Sequence, residues 1–182
     1  VTSEEDIKKA LLLTKQKFGK LSAVINSAGI FRKGSIYETD TNQPHSSDKW
    51  EEIMSVNLFG TFNVIRLAVE LMKDNQPDDD NQRGVIINFA SVAGYEIPRT
   101  SLVYGISKAG IIAMTKPVAQ SLGQLGIRVN AIAPGFFDTP MSTDSGSRDY
   151  TDILVNLKRR GRPDELAQLV KCITENHYIN AE

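Results

Sequence analysis

The chain has 182 residues, 41% hydrophobic and 24% charged, with a formal net charge of −1, a balance that suits one globular domain over 1–182 and gives no general attraction for nucleic acid or anionic membrane. Its single cysteine, Cys172, excludes an internal disulfide and fits a reducing compartment. With only His45 and His177 besides, far apart in sequence, no metal site is expected. No uninterrupted apolar run reaches the ~20 residues of a membrane span, so no membrane association is expected, and the first residues lack a signal-peptide pattern.

Val1-Thr2 reads as the tail of a strand, after which Ser3 with Asp6 reads as a capping box. Ile7, Leu11, Thr14 and Phe18 then recur at helical spacing over 4–18, with Gly19 as the stop. "LSAVINS" (21–27) is a short apolar strand leading into Ala28-Gly29, and 31–46 is polar and irregular. A long helix is expected over 47–73, a solvated loop over 75–84, and a buried strand over 85–89. A helix over 102–122, a strand over 127–133 ending at Pro134-Gly135, and a loose segment over 136–150 come next. A short helix is expected near 151–158, and a last helix over 163–176 with Pro163 at its first position and acids behind it. "YINAE" ends the chain as a new extended segment begins.

Helices alternating with short, continuously apolar strands predict an α/β fold, a parallel sheet covered on both faces. Each strand runs at its carboxyl end into small or polar residues: Ser27-Ala28-Gly29, Ala90-Ser91 and Pro134-Gly135. Ligands of open α/β sheets bind outside those ends, so three candidate segments share one edge.

Chemistry can be attached to that edge. Tyr104 and Lys108 stand four apart on a helix and share a face. A nearby ammonium favours a phenolate, which would make tyrosine a usable acid/base, although such a pair arises often by chance. Ser91, ending "VIINFAS", can hydrogen-bond a substrate oxygen, or it can be a turn serine. Asn57, polar in the apolar "SVNLFGT", is either a satisfied core amide or a group that holds water at a local break in its helix, with Gly60 allowing close packing.

"NSAG" (26–29), "VNLFGT" (56–61), "ASVAG" (90–94), "YGISK" (104–108), "PGFFDT" (134–139) and "RGRPDELA" (160–167) together resemble the short-chain dehydrogenase/reductase family in order and spacing. The resemblance implies a partial Rossmann fold, three-layer α/β/α, truncated at both ends. It implies a tetrad of Asn57, Ser91, Tyr104 and Lys108, with Ser91 and Tyr104 on the substrate oxygen and Lys108 both on the nicotinamide ribose and tuning the tyrosine. NAD is the implied cofactor, beside Val1, Asn26, Ser27, Ala28, Gly29, Tyr104, Lys108, Pro134, Gly135, Phe137 and Thr139. Loop 95–103 would line the substrate, a 3-hydroxyacyl-CoA or a hydroxysteroid. A homotetramer with helices 47–73 and 102–122 between subunits, and a mitochondrial location, are implied as well, with no direct contact to nucleic acid.

The family's T-G-x-x-x-G-x-G turn, which seats the pyrophosphate, does not occur in the 182 residues, nor does the acidic residue that selects NAD over its phosphorylated form. The expectation is a fragment lacking that segment and the last strand, with an exposed edge at 21–27, weak NAD binding and a tendency to associate. The alternative is a catalytically idle form acting through protein contacts, a tRNA-processing scaffold among them, for which the basic run 158–162 is the one hint.

Overall fold

The computed structural model describes residues 1–143 and 157–182. Three parallel strands, β1 (Ala23–Asn26), β4 (Gly84–Phe89) and β5 (Ile127–Ile132), form the central sheet in the order β1-β4-β5. Asn26 sits opposite Asn88, and Phe89 opposite Ile132, so all three strands end level with one another. Between β1 and β4 lie a small antiparallel ladder, β2 (Tyr37–Glu38) with β3 (Gln43–Pro44), and the helices α2 (Ser47–Met54) and α3 (Gly60–Met72). The ladder was not expected: its pairing is set by a turn in which Asn42 takes φ +54°, and two-residue strands leave no periodic signal.

The strands are apolar along their whole length because helices cover both faces. Val24, Ile86 and Val129 face α1 (Glu4–Phe18), α3 and α4 (Leu102–Gly123); Val85, Ile87 and Ile132 face α6 (Pro163–Glu175) through Ile173, Leu166 and Val170. The three-layer α/β/α arrangement expected from the sequence is therefore present. Ser3 caps α1 by accepting from the Asp6 N–H at 3.2 Å, and Gly19 ends it at φ +76°. A helical turn, α5 (Pro140–Thr143), lies in the expected loose segment. The helix expected near 151–158 falls outside the described residues except for Leu157 and Lys158, which are not helical.

Two expectations need correction. The run Ser47–Met72 is 26 residues long and contains an 18-residue window of mean hydropathy 1.2, enough by length and composition to cross a membrane. In this fold Ile53, Ile65, Leu67, Ala68 and Met72 on it are instead buried. Nor is it one α-helix. Residues Ser55–Phe59 form a π turn, where the Gly60 N–H reaches back to the Ser55 carbonyl, and Asn57 is at its centre.

At the far edge, the final residues run beside β5: Ala181 N–H bonds the Val129 carbonyl at 3.0 Å, and Ala131 N–H bonds the Glu182 carbonyl at 2.7 Å. Arg128 anchors this region from within. Its buried guanidinium donates to the carbonyls of Ile173, Thr174 and Ile179 and to Gln82 Oε1. The first two are carbonyls at the end of α6, which carry the negative end of its dipole.

Candidate active site

The site forms where the carboxyl edge of the sheet meets the start of α4. After β4 the chain makes a 3-10 turn, Val92–Gly94, capped by Ser91, whose Oγ accepts from the Ala93 N–H at 3.2 Å. That turn lies directly on α4, and two glycines make the approach possible. A Cβ on Gly94 would stand 2.9 Å from the backbone of Lys108 and Ala109, and one on Gly105 would stand 2.9 Å from the Ala93 carbonyl. Backbone packed on backbone at this distance brings the Ser91 hydroxyl close enough to that of Tyr104 to act on its ionisation.

The electrostatics follow from burial. Desolvation pushes the Tyr104 phenol above its ordinary value, and the neighbouring Ser91 hydroxyl draws it partly back. Lys108, 5% exposed, is lowered to about 8 by desolvation. Its Nζ donates to the Phe89 carbonyl at 2.7 Å and stands 5.8 Å from the centre of the Tyr104 ring. The sequence reading has the lysine lower the tyrosine; in this geometry the net shift is upward. The ammonium is committed to a strand-end carbonyl, and burial of the phenol dominates.

Asn57 is wholly buried. Its Oδ1 accepts from the Ile30 N–H at 2.8 Å, while Nδ2 donates to the Ile30 carbonyl at 3.0 Å and to Ser107 Oγ at 3.1 Å. The amide is therefore satisfied within the fold, and its main-chain carbonyl accepts from Thr61 Oγ1 at 2.7 Å. Next to Ile30, the Phe31 ring meets Tyr104 edge-on, centroids 5.1 Å apart. The strand of chain after β1 is thereby fastened to α4, and farther along Gly34 exchanges backbone hydrogen bonds with Thr100 and Leu102.

The other sequence-predicted positions divide by place. Gly29 lies beside both Lys108 Nζ and Asn57 Oδ1, and Asn26 is buried with its Nδ2 on Asn88 Oδ1 at 2.9 Å. Ser27 and Ala28 are exposed at the same edge. The Pro134 carbonyl accepts from the Val92 N–H, which places Pro134-Gly135 against the turn that carries Ser91. Phe137 is held elsewhere, with its ring on Gly161, and the Thr139 N–H donates to Ser142 Oγ at 3.3 Å. Val1 packs over Gly60. Sequence reasoning missed Phe31 and Ser107. Phe31 gave no signal, but the serine one residue before Lys108 lies on the buried side of a helix, where a hydroxyl must find partners.

A buried lysine, a tyrosine–serine pair and a glycine-flanked strand end at the carboxyl edge of a doubly covered parallel sheet define a site suited to proton and hydride exchange at an oxygen-bearing carbon. The chain belongs to the short-chain dehydrogenase/reductase family of oxidoreductases. A family model described as Enoyl-(Acyl carrier protein) reductase matches residues 1–180. Among individual relatives, the chain is 43% identical to the 3-hydroxyacyl-CoA dehydrogenase type-2 of Homo sapiens, over 100% of this chain and 71% of that protein. It is 40% identical to the ipsdienol dehydrogenase of Ips pini, over 99% of this chain and 73% of the other. The crystal structure of 3-hydroxyacyl-CoA dehydrogenase type-2 from Mycobacterium avium superposes with a TM-score of 0.91 at 32% identity, covering 100% of this chain and 70% of that one. These relatives are oxidoreductases and give no support to the idle, protein-contact alternative.

Proposed function

We propose that the chain is an NAD-linked dehydrogenase of secondary alcohols that acts on a 3-hydroxyacyl-CoA, with a hydroxysteroid as the second substrate class. The observation that carries this reading is the closeness of the Ser91 hydroxyl to the Tyr104 phenol at the carboxyl edge of the sheet, with a buried ammonium one helical turn further along α4. Tyr104 is the acid/base. In ketone reduction its phenol gives a proton to the substrate oxygen, and in alcohol oxidation its oxygen takes that proton. Because burial raises it, the phenol is the resting form at neutral pH, ready for the reductive direction. Ser91 holds the substrate oxygen and stabilises the charge that develops on it.

The donor set fits the nicotinamide half of NAD. An ammonium carries three N–H donors, and Lys108 gives one to the Phe89 carbonyl, which leaves two for the neighbouring hydroxyls of a ribose. Gly29 keeps that space open: a Cβ there would already stand in contact with Nζ. NAD held there would supply the hydride acceptor for the alcohol carbon. Asn57 holds the chain after β1, and Asn26, Ser27, Ala28, Pro134 and Gly135 form the adjoining rim.

The acyl-CoA assignment is supported by the human and mycobacterial relatives, whose names specify that chemistry. We further propose a homotetramer, supported by the exposure of Trp50, Phe59 and Phe62 along the α2–α3 run, and a mitochondrial location, for which the family resemblance is the sole argument. The test is NADH consumption with acetoacetyl-CoA and, separately, with a 17-ketosteroid. Faster turnover of the thioester is expected, and absence of turnover with both would overturn the reading.

A further inference from the structure

Ser107 is completely buried, and its hydroxyl is used twice. It donates to the Tyr104 carbonyl at 2.7 Å and accepts from Asn57 Nδ2 at 3.1 Å. The first bond is common for a serine within a helix and carries no functional meaning by itself. The second comes from another element, 50 residues earlier in the chain.

Asn57 extends the connection by holding both sides of the Ile30 backbone, N–H at 2.8 Å and carbonyl at 3.0 Å. Phe31 follows directly, and its ring closes edge-on against Tyr104. The links therefore form a circuit: Tyr104 backbone to Ser107, to Asn57, to Ile30, to Phe31, and back to the Tyr104 ring. The phenol is thus held from its backbone by hydrogen bonds and from its ring by an aromatic contact, the two joined through the Ile30–Phe31 backbone.

We propose that Ser107 is a positioning residue for Tyr104, the link through which the Asn57 amide couples the segment after β1 to the backbone of the acid/base. This rests on the dehydrogenase reading for its kinetic consequence, but the coupling itself does not. Ser107 touches neither substrate nor cofactor in this reading. Its contribution is geometric, since proton transfer depends on the phenol oxygen lying within hydrogen-bond reach of the reacting oxygen. Without the hydroxyl, Asn57 Nδ2 loses one of its two acceptors and the amide is braced from the Ile30 side alone, so the hold on Ile30 loosens although Ser107 does not touch Ile30.

The test uses the whole chain and the variants Ser107→Ala and Ser107→Thr. Backbone amide exchange is read at Ile30, with Ile86 and Ile87 in the middle of β4 as internal controls. Ser107→Ala is expected to speed exchange at Ile30 by at least about threefold with the β4 amides unchanged, and Ser107→Thr, which keeps the hydroxyl, to restore protection. In NADH-dependent reduction of acetoacetyl-CoA, Ser107→Ala should lower kcat by about tenfold and leave KM for thioester and NADH within about twofold. Unchanged exchange at Ile30, or parallel loss of protection at Ile86 and Ile87, would overturn the coupling. A rise in KM with kcat intact would overturn the positioning role. If the unmodified chain turns over neither substrate, the dehydrogenase reading falls, while the exchange arm still decides whether Ser107 joins the two segments.

Discussion

The Lys108 ammonium stands 5.8 Å from the centre of the Tyr104 ring and donates its 2.7 Å hydrogen bond to the carbonyl of Phe89, not to the phenol. The two side chains share a face of α4, yet they are poised oppositely: burial raises the tyrosine and lowers the lysine to about 8. Both shifts favour the neutral form, as expected for groups removed from water. Several measurable consequences follow from this arrangement.

Replacing Tyr104 by Phe removes the hydroxyl proposed as acid/base and little else, because the ring and its edge contact with Phe31 remain. We expect ketone reduction to fall by about 10²–10⁴-fold with the thermal midpoint changed by less than a few degrees. For the unaltered chain the phenol remains protonated from neutral pH to pH 9, so kcat/KM for reduction should fall across that range only near pH 8, where Lys108 loses the ammonium that holds the ribose. The same parameter for alcohol oxidation should climb with pH toward and beyond 10. A pH-independent oxidation rate across that range would contradict the role of Tyr104.

Lys108 links stability to pH. Its folded value, about 8, lies below the ordinary 10.5, so between those values the unfolded chain binds more protons than the folded one. Stability therefore rises as pH increases from about 8 to 10.5, and the full effect is on the order of 3 kcal/mol. Tyr104 acts in the opposite sense, because its folded value lies above 10 and the folded chain keeps its proton longer; stability is lost as pH rises past 10. Urea denaturation of the parent and Lys108→Met from pH 7 to 10 should show the rise in the parent alone, with the variant the more stable at pH 7.

Gly94 and Gly105 set the distance between the Ser91 turn and α4. An added methyl at either position meets backbone at 2.9 Å, and backbone cannot swing aside as a side-chain tip can. Gly94→Ala should cost about 1–3 kcal/mol and lower kcat more than tenfold by drawing Ser91 away from Tyr104. Activity measured on fully folded protein, at a temperature well under the melting point, separates the two effects. Full activity in that assay would mean that the turn has room the close packing does not suggest.

Arg128 makes four hydrogen bonds from a buried guanidinium, three of them to carbonyls of residues 173, 174 and 179. Arg128→Met would leave these acceptors unpaired beneath α6, with an expected loss of about 3–5 kcal/mol. Arg128→Lys should recover only part, because a point ammonium cannot serve several directions as the planar fork does. Hydrogen exchange in α6 should rise selectively in both variants, while α1 on the opposite face of the sheet keeps its protection.

Periodicity alone was enough to place the long helices and the three apolar strands, because burial on one stripe or on both faces is a local pattern that a chain must carry. Tyr104, Lys108, Ser91 and Asn57 stood out for their residue types at strand ends or within apolar runs, and the family resemblance joined them. Other features had no local signature. The Tyr37–Pro44 ladder depends on a left-handed Asn42, the π turn on a single displaced hydrogen bond, and Arg128 on carbonyls brought from 45 residues away or more. The surroundings of the site residues were decided in the same way. The sequence by itself determined that a tyrosine and a lysine would share a helix face and that a serine would end a neighbouring strand. Only the tertiary structure decided that the lysine answers to Phe89, that the tyrosine is raised and not lowered, and that Asn57 and Ser107 fasten its backbone, because desolvation and hydrogen-bond partners belong to the packed surroundings of a residue and not to its neighbours in the chain.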